Sequence, residues 1–339
     1  MQPARQAEPA PSLDDLRELC ADDLAGLDRL IQESLHTDVA LVSDIAQYIV
    51  SAGGKRLRPL IVMLASRALA PADQRTGAPD RRSLQAAAII EFIHTATLLH
   101  DDVVDGSERR RGRDTANAVF GNQASVLVGD FLYSRAFQMM VAIGDMRVMR
   151  VLADATNTIA AGEVMQLMNV HDPDTTEDQY RQVIYRKTAR LFEAGAEIAA
   201  LLTDQSPEVQ ASLGRYGREL GTAFQLIDDA LDYSASADEL GKNVGDDLAE
   251  GKPTLPLIHA IATGGAAERQ LIREAIAEGG VDRLPEILKA IESTGALEYT
   301  RARAEEAARA AVESIAVLPP SAYRDALAAI AEFSVARRF

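Results

Sequence analysis

Apolar residues recur at helical spacing along nearly the whole chain. Between Leu13 and Glu33, for example, leucines and one isoleucine return about once per helical turn. The stretch from Ser83 to Val104 carries one charged residue, Glu91, before its terminal aspartates, which predicts a buried helix with Ser83 as its N-cap. The pattern predicts helices over residues 13–33, 39–50, 60–69, 83–104, 124–143, 148–170, 176–202, 207–233, 255–262, 266–278, 281–295, 297–314 and 321–336.

The breaks between these helices are short, and none of them reads as an alternating strand. Loops are predicted at residues 53–54, 71–80, 106–121, 171–175 and 234–253. No internal repeat or low-complexity linker divides the chain. We therefore expect a disordered tail at residues 1–12 and one all-α domain at 13–339, built as a large antiparallel helical bundle.

Composition and charge limit the classes of function that the chain can have. The 339 residues carry a formal charge of −16, which argues against a nucleic-acid partner, so an anionic ligand would need a metal ion or a local basic cluster. The single cysteine, Cys20, excludes an internal disulfide and fits a cytoplasmic protein. Because no run of about 18 uncharged apolar residues occurs, we expect no transmembrane segment.

The first candidate site is the sequence HDDVVD at residues 100–105. On a helix, Asp101 and Asp105 are one turn apart on the same face, with Cβ atoms about 5–6 Å apart. Their mutual repulsion favours a bound cation, and Mg²⁺ is typically held by one or two carboxylates together with substrate phosphates. The alternative for this motif alone is a solvated helix end.

The second candidate site repeats this spelling. Asp228, Asp229 and Asp232 end another apolar helix in the sequence IDDALD at 227–232. Two unrelated solvated ends with the same spacing are improbable, so we expect the two motifs to face each other. Together they predict a magnesium site that grips a diphosphate.

Basic residues follow a similar arrangement. Lys55, Arg56 and Arg58 follow a Gly-Gly turn, and three arginines at 109–111 follow the first aspartate motif. Guanidinium and ammonium groups bind phosphate oxygens, so these clusters favour a polyanionic ligand over an ordinary basic surface. Weaker candidates, for which a solvated surface is the default, are Lys187, Thr188, Lys242 and Lys252.

The motifs together resemble the trans-isoprenyl diphosphate synthase family. The matching stretches are GGKRLRP at 53–59, FIHTATLLHDDVVD at 92–105, RRRG at 109–112, GNQASVLVGDFLYSRAF at 121–137, RKTARLF at 186–192, FQLIDDALDY at 224–233 and GKNVGDDLAEGKPTLP at 241–256. The segment at 162–197 is most similar to bacterial long-chain enzymes that make octaprenyl or similar diphosphates of about 40–50 carbons for quinone side chains. The resemblance implies an isoprenoid synthase bundle around a central cavity.

The resemblance also implies roles for individual residues. Asp101 and Asp105 would bind Mg²⁺ opposite Asp228, with further metal contributions from Asp102 and Asp232 through water or the outer shell. The isopentenyl diphosphate site would comprise Lys55, Arg58, His94 and Arg111. The allylic diphosphate site would comprise Arg110, Lys187, Thr188, Gln225, Lys242 and Lys252, with Arg110 and Lys187 acting in catalysis beside Asp101, Asp105 and Asp228.

The implied reaction joins isopentenyl diphosphate to an allylic diphosphate such as farnesyl diphosphate. Short-chain relatives usually carry bulky residues one turn before the first motif, where this chain has Ala96 and Thr97, so we expect a long product. Replacing Ala96 with Phe should then shorten the product. The family further implies a homodimer. Because the product is apolar, transient contact with a membrane during product release is also an expectation.

Two other readings use the same motifs. A class I terpene cyclase typically carries an Asn/Ser/Glu second motif and lacks GGKRLRP. A non-catalytic partner subunit usually loses aspartates or arginines, and none is lost here. An unrelated acidic helical scaffold does not account for the repeated motif.

Overall fold

The chain folds as a helical bundle. The computed structural model describes residues 12–51, 56–110, 112–234 and 244–336, with the side chains of Ser51 and Val281 left aside. The predicted all-α class is confirmed. Its first half comprises α1 Leu13–Glu18, α2 Ala21–Ser34, α3 Ala40–Ser51, α4 Leu57–Leu69, α5 Arg81–Val104, β1 Arg109–Arg110, β2 Arg113–Asp114, α6 Ala116–Phe120, α7 Asn122–Ile143 and α8 Met146–Asn169.

The second half continues the bundle and carries the other side of the central cavity. It comprises α9 Glu177–Ile184, a π-helical segment Tyr185–Ala189, α10 Arg190–Leu202, α11 Pro207–Leu231, α12 Asp246–Ala249, α13 Leu255–Thr263, α14 Ala266–Glu278, a 3₁₀ turn Val281–Arg283, α15 Leu284–Ser293, α16 Ala296–Ser314, a 3₁₀ turn Ile315–Val317 and α17 Ala322–Ala336.

Small aliphatic residues build the core. Ala86, Ala87 and Ala88 on α5 are fully buried beside Ile89 and Ile90, so α5 is enclosed on most sides. This agrees with the prediction that an almost uncharged helix is an interior helix. Short side chains bring helix axes close together, which lets the chain form a dense core with few aromatic residues.

Several boundaries differ from the sequence-based expectation. Asp80, and not Ser83, caps α5, because the Asp80 carboxylate accepts the Ser83 backbone N–H. The predicted loop at 106–121 contains the β1–β2 hairpin and α6, and the predicted loop at 234–253 contains α12. Residues 13–33 divide into α1 and α2. The predicted tail at 1–12 lies outside the described residues except Ser12, which caps α1.

Glycines let α11 approach α10 and the π-helical segment closely. A Cβ on Gly217 would lie 2.3 Å from the Phe192 carbonyl oxygen, and one on Gly221 would lie 2.5 Å from Ala189 Cα. Real Cβ atoms do not approach other atoms so closely, so larger residues would force the helices apart. The contact holds the π-helical segment against α11, which carries the second aspartate motif.

Two long helices expose apolar side chains. On α7, Leu127 and Val141 are 66% and 67% exposed, and on α8, Leu167 and Met168 are 63% and 77% exposed. Of the described helices, only α7 is long and apolar enough to cross a membrane, by length and composition alone, and 39% of its most apolar window is buried. A helix from a protein core passes the same test, so this observation is weak evidence for a span.

Candidate active site

The two aspartate motifs face one cavity. Its volume is about 880 Å³, and Asp101 and Asp105 at the end of α5 line it together with Asp228 at the end of α11. The lining also includes Lys187 of the π-helical segment and Lys252 after α12. The expectation that both motifs face one site therefore agrees with the geometry. The cavity brings opposite charges together in the size range of ligand sites.

A lysine lies beside each of the two aspartates of the first motif that are candidates to bind the metal directly, Asp101 and Asp105. Lys187 Nζ lies 3.4 Å from Asp101 Oδ2, and Lys252 Nζ lies 3.0 Å from Asp105 Oδ2. Burial alone would lower the pKa of both lysines, but the surrounding carboxylates outweigh burial and raise it. Both lysines are therefore charged at neutral pH. They can compensate the charge of an arriving diphosphate.

Each of these two lysines also pairs with a glutamate. Lys187 Nζ donates to Glu163 Oε2 at 2.6 Å and to Gln166 Oε1 at 2.7 Å, while Lys252 also pairs with Glu250. Burial raises the pKa of Glu163 to about 7, and the nearby charge of Asp101 adds to the rise while Lys187 opposes it. Neither Glu163 nor Glu250 was identified from the sequence.

Asp102 lines the same cavity as Asp101 and Asp105 and holds Arg110. The side chain of Asp102 is 1% exposed, and its Oδ1 accepts from Arg110 Nε and Nη2, both at 2.7 Å. Burial raises the pKa of Asp102, and the charge of Arg110 offsets part of that rise. The pair fixes Arg110 in the cavity lining, and its assignment to the allylic diphosphate stays an implication of the family resemblance.

Asp229 of the second motif forms part of a hydrogen-bond network in the cavity wall. Asp229 is buried, accepts from Tyr180 Oη at 2.5 Å and from Gln225 Nε2 at 2.7 Å, and its pKa is strongly raised by burial and by Asp247. Gln225 Oε1 in turn accepts from Thr188 Oγ1 at 3.0 Å. This network joins α9, the π-helical segment and α11 in the lining of the cavity.

Asp232 lies behind the cavity wall. It is fully buried, lies outside the cavity lining formed by the described residues, and its Oδ2 accepts the backbone N–H of Asp247 at 3.2 Å. The carboxylate therefore holds the segment that begins α12, and its contribution to a metal site through water or the outer shell stays a prediction.

The predicted isopentenyl site is partly described. Arg58 Nη1 lies 3.1 Å from His94 Nε2, and the Arg58 guanidinium carbon lies 4.3 Å from the Phe192 ring centroid. All three residues line the cavity. The stacked ring limits the positions open to the guanidinium. The remaining predicted ligands, Lys55 and Arg111, lie outside the described residues, as does Lys242.

The two chain-length candidates face different surroundings. Thr97 lines the cavity, and its hydroxyl donates to the His94 carbonyl oxygen at 2.8 Å. Ala96 is fully buried and lies outside the lining formed by the described residues. Successive helical positions point about 100° apart, which explains the difference. The structure therefore favours Thr97 as the residue on the cavity wall.

The cavity suits a hard divalent cation held jointly with a ligand. Within the described residues, no three acidic, histidine or cysteine side chains converge enough to hold a metal by themselves. The donors at Asp101, Asp105 and Asp228 are all carboxylate oxygens. Lys187 and Lys252 in the same lining supply positive charge for an anionic ligand. Mg²⁺ bound by one or two carboxylates plus phosphate oxygens fits this donor set.

Comparison with known proteins agrees with this site. The family described as Polyprenyl synthetase matches residues 39–291. The octaprenyl diphosphate synthase of Escherichia coli (strain K12) is 54% identical over 96% of this chain and 99% of that protein. A Caulobacter crescentus CB15 polyprenyl synthase solved with calcium and isoprenyl diphosphate is 43% identical, with a TM-score of 0.91, over 98% of this chain and 100% of that chain.

The chain belongs to the polyprenyl synthetase family. Its all-α fold is that of the isoprenoid synthases, and the prediction of a long-chain trans-polyprenyl diphosphate synthase is confirmed. The octaprenyl diphosphate synthase of Haemophilus influenzae, 50% identical over 97% of this chain and 98% of that protein, agrees with this class. The two alternative classes, a terpene cyclase and a non-catalytic subunit, receive no support from these relatives.

Proposed function

We propose that this enzyme extends an allylic diphosphate such as farnesyl diphosphate with isopentenyl diphosphate, using Mg²⁺, to an octaprenyl or similar product. The observation that carries the proposal is the cavity in which Asp101 and Asp105 face Asp228 beside two charged lysines. The octaprenyl chain length is supported by the name of the 54% identical relative. Quinone side chains are the use expected for such a product.

The cavity supports two diphosphate subsites. Lys187, Lys252 and Arg110 supply positive charge beside the metal-binding aspartates and would hold the allylic diphosphate. Arg58 and His94 lie together and would hold isopentenyl diphosphate. When bound, a divalent cation would stabilise the negative charge on the departing diphosphate.

The protein's part in the reaction is mainly electrostatic. Departure of diphosphate leaves an allylic cation, and the double bond of isopentenyl diphosphate attacks that cation. The condensed cation then loses a proton to the released diphosphate. The lysines and arginines favour departure because they stabilise the leaving group, and they do so without a side-chain nucleophile. Thr97, Phe192 and Phe224 line part of the cavity and limit the access of water to the cation.

A homodimer is part of the proposal. The apolar side chains exposed on α7 and α8, among them Leu127, Val141, Leu167 and Met168, support burial of these helices against a second copy. A cytoplasmic location stays the expectation from the single cysteine. Transient contact with a membrane during product release is likewise an expectation.

The test is elongation by the purified protein. Farnesyl diphosphate and labelled isopentenyl diphosphate with Mg²⁺ should give one dominant long product, read by chromatography after dephosphorylation. EDTA should abolish the reaction, and Asp101→Asn should reduce kcat by about 10²-fold or more. Asp178→Asn, an exposed change on α9, is the matched control and should leave the rate within about twofold.

The outcome also separates the competing classes. Absence of elongation with and without detergent would count against catalysis and favour a partner subunit. A cyclised hydrocarbon in place of a longer diphosphate would identify a terpene cyclase.

A further inference from the structure

The two lysines of the cavity are shared between aspartates and glutamates. Lys187 Nζ lies 2.6 Å from Glu163 Oε2 but 3.4 Å from Asp101 Oδ2. Lys252 pairs with both Asp105 and Glu250. Under the proposed function, Asp101 and Asp105 must also receive a divalent cation, so each lysine competes with the metal for the same carboxylate.

At Lys187, the position of Glu163 decides how strongly the lysine pairs with Asp101. It lies on α8, and Gly162 lets α8 approach the π-helical segment so closely that an added Cβ would be 2.7 Å from Arg186 Cβ. Gln166, one turn further along α8, accepts a second bond from the same ammonium group at 2.7 Å. Glu163 Oε1 is buried, and among the described residues it has no hydrogen-bond partner.

We propose that Glu163 is a positioning residue that draws Lys187 away from Asp101 and so keeps this aspartate available to the divalent cation. The inference rests on the proposed function of the site. Glu163 has no direct role in bond breaking. Its carboxylate competes with Asp101 for one ammonium group, and the shorter of the two distances shows which carboxylate holds the lysine.

Glu163→Gln tests the idea because it keeps the shape and removes the charge. Lys187 would then move toward Asp101, so binding of the cation should weaken. The same change removes a negative charge beside the lysine, so metal-free diphosphate should bind more tightly. Damage to the fold would weaken both ligands, and this opposition of sign separates a positioning role from a structural one.

The measurement uses the full chain and two probes. Mn²⁺ binding is followed by electron paramagnetic resonance without added diphosphate, which would chelate Mn²⁺ and engage Lys187, and diphosphate binding is followed by calorimetry in EDTA. Both are measured at pH 8, above the pKa of about 7 of Glu163, so that the unaltered side chain is charged. For Glu163→Gln we expect Mn²⁺ to bind about fivefold or more weakly and metal-free diphosphate about threefold or more tightly. Glu163→Asp, which retains the charge on a shorter side chain, should restore most of the Mn²⁺ affinity.

A matched control is available outside the cavity. Glu177 forms an equally short ion pair, 2.6 Å to Arg181, with side-chain exposure of 31% against 29% for Glu163. Glu177→Gln should leave both affinities within about twofold. Should Glu163→Gln fail to fold, Gln166→Glu tests the reverse: a second carboxylate at Lys187 should strengthen Mn²⁺ binding and weaken that of metal-free diphosphate.

The two affinities together distinguish the positioning role from its alternatives. Opposite shifts in the two affinities support the positioning role. Any other pattern in these variants, in a background where the unaltered chain elongates its substrate, overturns it. If the unaltered chain itself neither elongates its substrate nor binds Mn²⁺, the proposed function fails instead.

Discussion

Replacement of Gly217 by alanine should separate α10 from α11. The added Cβ would lie 2.3 Å from the Phe192 carbonyl oxygen and 2.7 Å from Glu193 Cα, so the helices must move apart by about 1 Å to reach ordinary contact. Because the obstructing atoms are backbone, we take the upper end of the overpacking cost, about 3 kcal/mol. The gain in helix propensity offsets about 1 kcal/mol, which leaves a net loss of about 2 kcal/mol.

Gly214, one turn earlier on α11, is the matched control. Its added Cβ would meet neighbours only at 3.9 and 4.0 Å, so Gly214→Ala should stabilise the protein by about 0.5–1 kcal/mol. Guanidinium unfolding at one protein concentration should therefore move the midpoint in opposite directions for the two variants. Gly217→Ala should also lower kcat/KM, because the Thr188–Gln225 hydrogen bond crosses the same interface. Equal stability of the two variants would refute the packing argument.

Three further predictions concern single side chains. Cys20 is 1% exposed and burial raises the pKa of its thiol to about 12, so at pH 8 about one thiol in 10⁴ is ionised. Iodoacetamide should therefore alkylate Cys20 at pH 8 at least about 10³-fold more slowly in the folded chain than in the guanidinium-unfolded chain, as read by mass spectrometry, and equal rates would contradict this. Tyr180→Phe removes a donor to buried Asp229 and should cost about 1–3 kcal/mol in guanidinium unfolding, whereas an unchanged midpoint would show that the bond contributes nothing. Thr97→Phe should shorten the chromatographed product, and full-length product at normal yield would exclude Thr97 from the channel wall; the same assay tests the expectation for Ala96.

The sequence predicted features that local spacing encodes. The helical class followed from apolar periodicity, and the aspartate motifs followed from their repeated i, i+4 spelling. The cavity between the two motifs was expected only through the family resemblance, and the structure places Asp101 and Asp105 in its lining. The pairing of Arg58 with His94 was expected only through the family resemblance, and the structure brings the two together.

Features that depend on tertiary approach were beyond the reach of the sequence. Glu163 reads as an ordinary polar residue on an amphipathic helix, and its partner lies 24 positions away. The burial of Asp232 depends on how the chain folds back at α12, which its DDxxD spelling does not reveal. Gly162 and Gly217 are the one sequence signal that could have indicated these close approaches between helices. Glycine inside a helix is costly, so its presence there suggests that another backbone passes nearby.

The π-helical turn at Tyr185–Ala189 restricts how this enzyme can change in length. A π turn holds one residue more than an α turn, so its five residues rotate the chain through nearly the same angle, about 400°, as four residues of a regular helix. The flanks therefore stay in phase, with Tyr180 against Asp229 on one side and Phe192 against Arg58 on the other. A single-residue deletion within the turn should preserve both contacts and displace only the side chains of the turn, Lys187 among them, whereas a deletion within α9 or α10 should rotate one flank by about 100° and break one of the two contacts.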